Sequence, residues 1–353
     1  MKLKIAQVAP LYEAVPPKLY GGTERVVSYL TESLVEKGHE VTLFASGDSV
    51  TKAHLKAITE RALRLDDCSD PLAIHQILLK AVIDHSTLFD IWHFHIDYLH
   101  FPVSKVLKIP NLTTLHGRLD LPALPLLYNC YNDMPLVSIS DDQRKPLPMA
   151  NWLKTVYHGL PLHLYNYGEG RGGYLLFLGR ISPEKGPDKA IEIAINTNKK
   201  LIIAAKIDKA DKKYFEAEIK PLLNHPLIEF IGEVDEQQKK VLLENAAALL
   251  FPIDWPEPFG MVMIEALAAG TPVIAFKKGS VPEILQHGKT GFIVETVSEA
   301  IDAVAHLYQI NRLVCRHEFE KRFTASIMAD NYLELYEQIH VRHKYETMNF
   351  PTA

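Results

Sequence analysis

Short apolar runs of four to six residues alternate along most of the chain with stretches whose apolar positions recur every three or four residues. In the first half the runs Leu3–Val8, Val41–Phe44, Ile91–Phe94, Leu112–Leu115 and Leu136–Ile139 predict strands. Between them, Glu24–Lys37 and Leu72–Asp84 carry the helical period. The second half restarts the pattern with Tyr174–Leu178, Leu201–Ala205, Ile228–Ile231, Ala248–Phe251, Pro272–Phe276 and Gly291–Val294. Repeated strand–helix alternation predicts α/β architecture, with parallel sheets covered by helices on both faces. From Ala300 to Tyr345 the pattern is nearly all helical, with Met328, Tyr332, Leu335 and Tyr336 along one face.

A chain of 353 residues suits two such doubly wound domains of about 150 residues each. Asn166–Gly173 carries four glycines in eight residues just before the second set of strands, and is read as the hinge. Open parallel sheets bind ligands outside the carboxyl ends of their strands, so facing domains would place the chemistry in the cleft between them.

Composition narrows the class. With 47% hydrophobic and 23% charged residues the chain is neither disordered nor collagen-like, and no apolar stretch approaches the length of a bilayer span. Met1–Ala6 reads as the start of a strand, not a secretory leader. The cysteines Cys68, Cys130 and Cys315 are scattered and odd in number, which suggests a reducing compartment and a cytoplasmic protein. Net charge is −5; residues 1–166 carry 16 basic against 17 acidic side chains, and the remainder 22 against 26. Nucleic acid is therefore not an expected partner. Lys52, Lys56, Arg61 and Arg64 offer at most a small basic patch for peripheral membrane contact, and are read as a solvated helix face.

Three segments hold candidate chemistry. Tyr20-Gly21-Gly22-Thr23-Glu24 lies between the first strand and a helix, where paired glycines allow close backbone approach and free N–H groups face an anion; a plain helix start fits that motif equally well. Gly179-Arg180-Ile181-Ser182-Pro183-Glu184-Lys185-Gly186 follows a strand with two cations five positions apart. Arg supplies a planar fork and Lys a point charge, a pairing suited to a diphosphate, with a solvated loop as the competing reading. The third segment runs from Asp254 to Pro272. Pro256 and Pro258 stiffen its loop, Gly260 lets the chain turn into a helix, and Glu265 lies about one turn into that apolar helix. A buried carboxylate needs a partner: two carboxylates eight residues apart, Glu257 and Glu265, suit the hydroxyls of two sugar rings, or Glu265 is a structural ion pair with a lysine.

The run Glu257-Pro258-Phe259-Gly260 with Glu265-Ala266, preceded by Gly179-Arg180 and Lys185-Gly186 and followed by Gly270-Thr271-Pro272-Val273, resembles the retaining glycosyltransferases of family 4. These are nucleotide-sugar enzymes of the two-domain GT-B fold, with Rossmann-like domains. The resemblance spans essentially the whole chain and includes Gly21-Gly22, Asp90-Ile91-Trp92-His93-x-His95, Leu115-His116-Gly117, Ser138-x-Ser140, Tyr157-His158-Gly159, Ile231-Gly232-Glu233, Val281-Pro282-Glu283 and Thr290-Gly291-Phe292. Each is weak by itself; the order and spacing are specific.

The resemblance implies that Arg180 and Lys185 hold the donor diphosphate, Glu265 the ribose and Glu257 the donor sugar. Backbone N–H groups around Phe259, Gly260 and Met261 would meet sugar and phosphate, and Gly232 would lie near the base. Gly21 and Gly22 would close over the diphosphate, His116 would stand beside the reacting centre, and His95 and Asp97 would line the acceptor side. It implies an acceptor domain of residues 1–166 plus about 331–353, and a donor domain of 167–330. The expected partners are a nucleotide-sugar, UDP-linked before GDP-mannose, and a saccharide or other small hydroxyl acceptor. No metal or other cofactor is expected: Asp66-Asp67 and Asp141-Asp142 are adjacent pairs without further ligands nearby, and His93, His95 and His100 are read as core or cleft histidines before a zinc site. No carboxylate in the pattern stands as a nucleophile, which favours front-face attack. Ala205 and His158 depart from the family pattern, and the block Pro122–Pro148 matches no general motif and is expected to shape the acceptor pocket. An epimerase of the same fold and a non-catalytic nucleotide-binding partner are the alternatives.

Overall fold

In the computed structural model, which describes residues 1–19, 21–65 and 68–349, the apolar runs become buried parallel strands. Tyr20, Asp66 and Asp67 lie outside the described residues. The chain divides into two units, one formed by Met1–Gly159 with the chain from Ala325 onward, the other by Leu160–Thr324.

Among the described residues of the first unit, the strands are β1 (Lys4–Val8), β2 (Glu40–Ala45), β3 (His54–Ala57), β4 (Ile91–Phe94), β5 (Asn111–Thr114), β6 (Leu136–Ser138) and β7 (Trp152–Thr155). They pair in parallel in the order β3-β2-β1-β4-β5-β6-β7, so the order reverses between β1 and β4. Strand β4 is buried along its whole length. Because side chains alternate, Trp92 and Phe94 enter one apolar cluster with Phe44, while His93 turns to the opposite face. There it meets the C-terminal helix Ala325–Asn349: its ring lies 4.7 Å from that of Tyr332 and 5.6 Å from that of Tyr336. Met328, Tyr332, Leu335 and Tyr336 are all buried, as their helical spacing predicts.

The second unit holds β8 (Leu175–Arg180), β9 (Leu201–Lys206), β10 (Ile228–Gly232), β11 (Ala248–Phe251), β12 (Val273–Phe276) and β13 (Gly291–Val294) among its described residues. These too are parallel, in the order β10-β9-β8-β11-β12-β13, reversing between β8 and β11. The near-continuous apolar sequences of β8, β9 and β11 follow from burial on both faces.

Three expectations are corrected. Strands β3 and β7, absent from the sequence reading, occupy the two edges of the first sheet, where half-exposed residues leave no apolar run. Lys56 therefore sits on an edge strand instead of a helix face, and Lys52 and Arg64 are paired with Glu36 and Glu13, each at 2.9 Å. Nor is Asn166–Gly173 a free hinge. The N–H groups of Gly168, Gly170 and Gly172 donate to the carbonyls of Ala269, Glu244 and Asn245 at 2.9, 3.2 and 3.0 Å. The Arg312 guanidinium donates to the carbonyls of Gly168 and Ala246 at 2.7 and 2.9 Å. The segment is thereby fixed within the second unit, and the chain passes between units after Gly159 and after Thr324.

Candidate functional site

In the second unit, β8 and β9 run in register with Arg180 opposite Lys206, at the carboxyl ends of both strands. The Arg180 guanidinium is ringed by acids: it pairs with Glu184 and lies 3.5 Å from Asp208 and 3.4 Å from Asp211. Lys206 pairs with Asp208 at 3.0 Å. Burial pushes the Asp211 carboxyl above its ordinary range, against the pull of Arg180.

The chain then makes one tight turn, Pro183–Lys185, and Gly186 leads into the helix Pro187–Asn196. That turn delivers Lys185 to Glu257, 72 residues away in sequence. The carboxylate oxygen that pairs with Lys185 also accepts from the Trp255 indole N–H at 2.9 Å. The Lys185 ammonium lies 5.0 Å from the centre of the Trp255 ring. Trp255 belonged to the motif in sequence, but nothing there assigned it this work.

Gly260 starts the helix Met261–Ala268 from a left-handed backbone, φ +75°, and a Cβ there would stand 2.8 Å from Met263 Cε. The left-handed backbone is what favours glycine, since the flexible methionine tip can give way. No side chain caps this helix start, so its first N–H groups point outward unclaimed by a capping residue. Phe259 is buried just before it, and its carbonyl accepts from Ser280 Oγ at 2.8 Å. Glu265, also buried, accepts from Lys239 Nζ at 2.6 Å. The structure thus supplies the lysine that the ion-pair reading required; Lys239 lies in the helix Glu236–Asn245, and no sequence motif marked it. Gly232 closes β10.

The first unit builds a different kind of site. His116 follows β5 in a loop held on both sides by Gln143, whose amide N–H groups donate to the carbonyls of Leu115 and Gly117 at 2.9 and 2.8 Å. The His116 ring stacks on His158, with centroids 5.2 Å apart. Its Nε2 lies 2.9 Å from His95 Nδ1, while its Nδ1 is buried with no hydrogen-bond partner among the described residues. Burial pushes the His116 pKa down to about 3. His93, His95 and His158 are likewise held well below the ordinary histidine range, chiefly by burial.

His95 has both ring nitrogens engaged inside the unit, by His116 and by Gln7 Oε1 at 2.8 Å. It has no polar atom left for an acceptor, so its expected place on the acceptor side becomes a place behind His116. Asp97 keeps access to solvent in a left-handed conformation, φ +50°, and crowding by surrounding protein pushes its carboxyl up to about 6. Gly21 precedes the helix Gly22–Glu36 with φ +147°, and a Cβ on it would come 2.8 Å from Pro17 Cβ. His100 is a core histidine, bonded to Ser104 Oγ and Thr113 Oγ1, both at 2.7 Å, and stacked on Phe94. Among the described residues, no group of three or more His, Cys, Asp or Glu side chains is arranged to hold a metal ion. Nor is any helix there long and apolar enough to cross a membrane.

The profile of glycosyl transferases group 1 matches residues 169–323, and that of glycosyltransferase family 4 matches residues 20–158. An uncharacterized glycosyltransferase of Methanocaldococcus jannaschii is 26% identical over 339 residues, covering 83% of this chain and 85% of that one. Among solved structures, a glycosyltransferase involved in avilamycin A biosynthesis superposes with a TM-score of 0.75 at 24% identity, covering 96% of this chain and 98% of the other. The Anabaena protein HepE, solved in complex with UDP-glucose, gives 0.73 at 18% identity, covering 95% of this chain and 100% of the other.

Proposed function

The chain belongs to the group 1, family 4 glycosyltransferases of GT-B fold, and from that premise we propose that it transfers a hexosyl group from a nucleotide-sugar, UDP-linked by preference, to a hydroxyl of a saccharide or other small acceptor, with retention and without a metal. The observation that carries this reading is the cluster of Lys185, Glu257 and Trp255 in the same unit as the uncapped helix start after Gly260.

A nucleoside diphosphate leaves readily once its growing negative charge is met. Lys185 and Arg180 bring cations to that charge, and the amides from Gly260 onward bring oriented dipoles. Each such preorganised donor is worth about 3–4 kcal/mol when it is removed. Glu257 accepts from hydroxyls of the donor sugar, and its pairing with Lys185 links sugar and phosphate recognition. Glu265, oriented by Lys239, accepts from the nucleotide ribose. With no carboxylate assigned as nucleophile, the acceptor attacks on the face that the nucleotide leaves, and the departing phosphate takes the acceptor proton. Residues 1–159 with the C-terminal helix serve the acceptor, with Asp97 and His116 on that side, and residues 160–324 serve the donor. The UDP preference is supported by the HepE complex, and the absence of a metal requirement by the two cations, Arg180 and Lys185, that this reading assigns to the diphosphate.

A thermal-shift panel of UDP, GDP, ADP and their sugar conjugates, with magnesium and with chelator, tests the reading. Ligand at a hundred times its dissociation constant stabilises the native state by about 2.7 kcal/mol. UDP and a UDP-sugar are expected to raise the melting temperature equally in both conditions. No shift with any nucleotide would sink the donor site, and a shift only with magnesium would remove metal independence.

A further inference from the structure

Behind His116 the first unit contains an unbroken chain of buried hydrogen bonds that ends on the C-terminal helix. Its polarity follows from one fixed point, the Gln7 carboxamide. Gln7 Oε1 is an acceptor, so His95 Nε2, 2.8 Å away, donates to it. His95 is neutral, which leaves its Nδ1 as an acceptor, and the His116 Nε2–H donates to that atom at 2.9 Å. His116 is neutral as well, so its Nδ1 carries a lone pair and no proton.

In the other direction the Gln7 amide donates to the Tyr336 hydroxyl at 3.0 Å. Tyr336 then donates to His93 Nδ1 at 2.6 Å, and His93 Nε2–H donates to Thr114 Oγ1 at 2.7 Å. Thr114 passes the chain to the Tyr332 hydroxyl at 2.8 Å. Every link beyond the part-buried His116–His95 contact is buried, and the two tyrosines stand more than two hundred residues from the strands they serve. A buried acceptor left unpaired is costly, so the lone pair on His116 Nδ1 needs a purpose.

We propose that Gln7, His95 and Tyr336 are positioning residues that lock His116 as its Nε2–H tautomer, so that Nδ1 is held ready to accept a hydrogen bond from a substrate hydroxyl. The part about the substrate rests on the transferase reading; the locked tautomer does not. The C-terminal helix, on this account, sets the chemistry of a loop that it does not itself contain. Gln7 is central because its amide faces both directions: reversing it would reverse every donor and acceptor from Tyr332 to His116.

The test uses the full-length protein with 15N-labelled histidine. Long-range proton–nitrogen spectra distinguish a protonated ring nitrogen from one with a lone pair, and His116→Gln identifies the signal of that ring. The native protein is expected to show a protonated Nε2 and an unprotonated Nδ1 for His116, without change between pH 5 and 9. Tyr336→Phe, which keeps the ring that packs in the core, is expected to give mixed tautomers. His95→Leu should do the same, whereas His95→Asn, whose carboxamide oxygen can replace Nδ1 as acceptor, should restore the native signal. Turnover with the donor found in the thermal-shift panel should fall about tenfold in Tyr336→Phe and His95→Leu, with the donor KM within about twofold, as for other residues that orient a functional histidine. A native spectrum with the proton on Nδ1 would overturn the proposal, as would unchanged tautomers and turnover in Tyr336→Phe with a native-like melting temperature. A native spectrum as expected in a protein that binds no nucleotide would sink the transferase reading and leave the locked tautomer standing.

Discussion

The residues proposed for the donor and those proposed for the acceptor differ sharply in electrostatics. In the second unit, the side chains assigned to the donor are charges already committed to other charges: Arg180 among Glu184, Asp208 and Asp211, Lys185 on Glu257, Lys239 on Glu265. In the first, His93, His95, His116 and Gln7 form a neutral network kept neutral by burial. If these residues hold a phosphate as proposed, their charges have partners to exchange when the anion binds. A neutral network has no such freedom, because turning one donor turns every donor and acceptor along it. The donor side is therefore expected to respond to changes of charge, and the acceptor side to changes of hydrogen-bond direction.

The largest effect should come from Lys185, the cation paired with Glu257. Lys185→Ala removes the cation proposed to meet the leaving diphosphate and is expected to lower turnover by at least about a hundredfold. The same change leaves Glu257 without its cation, so nucleotide-sugar affinity should fall with it. Steady-state rates with near-native values for the variant would remove Lys185 from the mechanism.

Glu265→Gln comes next. The glutamine keeps the shape but loses the charge that pairs with Lys239, and breaking a largely buried pair costs up to about 3 kcal/mol of stability. Nucleotide affinity should fall about tenfold, the worth of one charge-assisted hydrogen bond, with turnover at saturating donor changed far less. Calorimetric titration of the nucleoside diphosphate decides it: unchanged affinity in a folded variant would leave Glu265 as a structural ion pair only.

A third change should go the other way. Asp211 lies 3.4 Å from the Arg180 guanidinium and competes with any phosphate for it. Partly exposed pairs of this kind are worth about 0.2–1 kcal/mol. Asp211→Asn is therefore expected to tighten nucleoside diphosphate binding by up to about fivefold. Weaker binding in that variant would mean that Asp211 holds Arg180 in place for the ligand, and that committed charges are a scaffold and not a reserve.

The residues proposed for the donor are neighbours in sequence. Arg180 and Lys185 share one loop, and Glu257, Gly260 and Glu265 share one loop and helix, so spacing marked them as candidates, while the roles expected of them came from the family resemblance. What spacing could not show were partners brought in from other elements, namely Lys239 for Glu265, and Asp208 and Asp211 for Arg180. On the acceptor side His116 was visible as a strand-end histidine, but its environment was not. Gln7 lies in an apolar first strand, Gln143 in a short turn, and Tyr336 on a helix where an apolar stripe accounts for it equally well. The strands that escaped notice, β3 and β7, are edges whose residues are only half covered, so the burial that writes a strand into sequence was missing. The glycines of 166–173 misled for a related reason: glycine marks close backbone approach as readily as freedom, and here the backbone is pinned.

The smallest expected effect concerns the exception in the first unit, its one candidate site carboxylate. Asp97 has its pKa pushed from an ordinary 3.8 up to about 6, so the folded protein holds the proton more tightly than the unfolded chain does. Its contribution to stability is accordingly full below about pH 4 and lost as pH rises through about 6. Asp97→Asn cannot ionise, and asparagine accepts the left-handed backbone found at this position. Melting temperatures of the two proteins should therefore coincide near pH 4 and separate above pH 6, with the variant the more stable. Equal curves across the range would mean that solvent relieves the carboxylate completely. A variant less stable at pH 7 than at pH 4, relative to the native protein, would mean that Asp97 is held as the anion by a partner. In that case the acceptor side would rest on a committed charge, and the contrast between the two units would fail where it is most exposed.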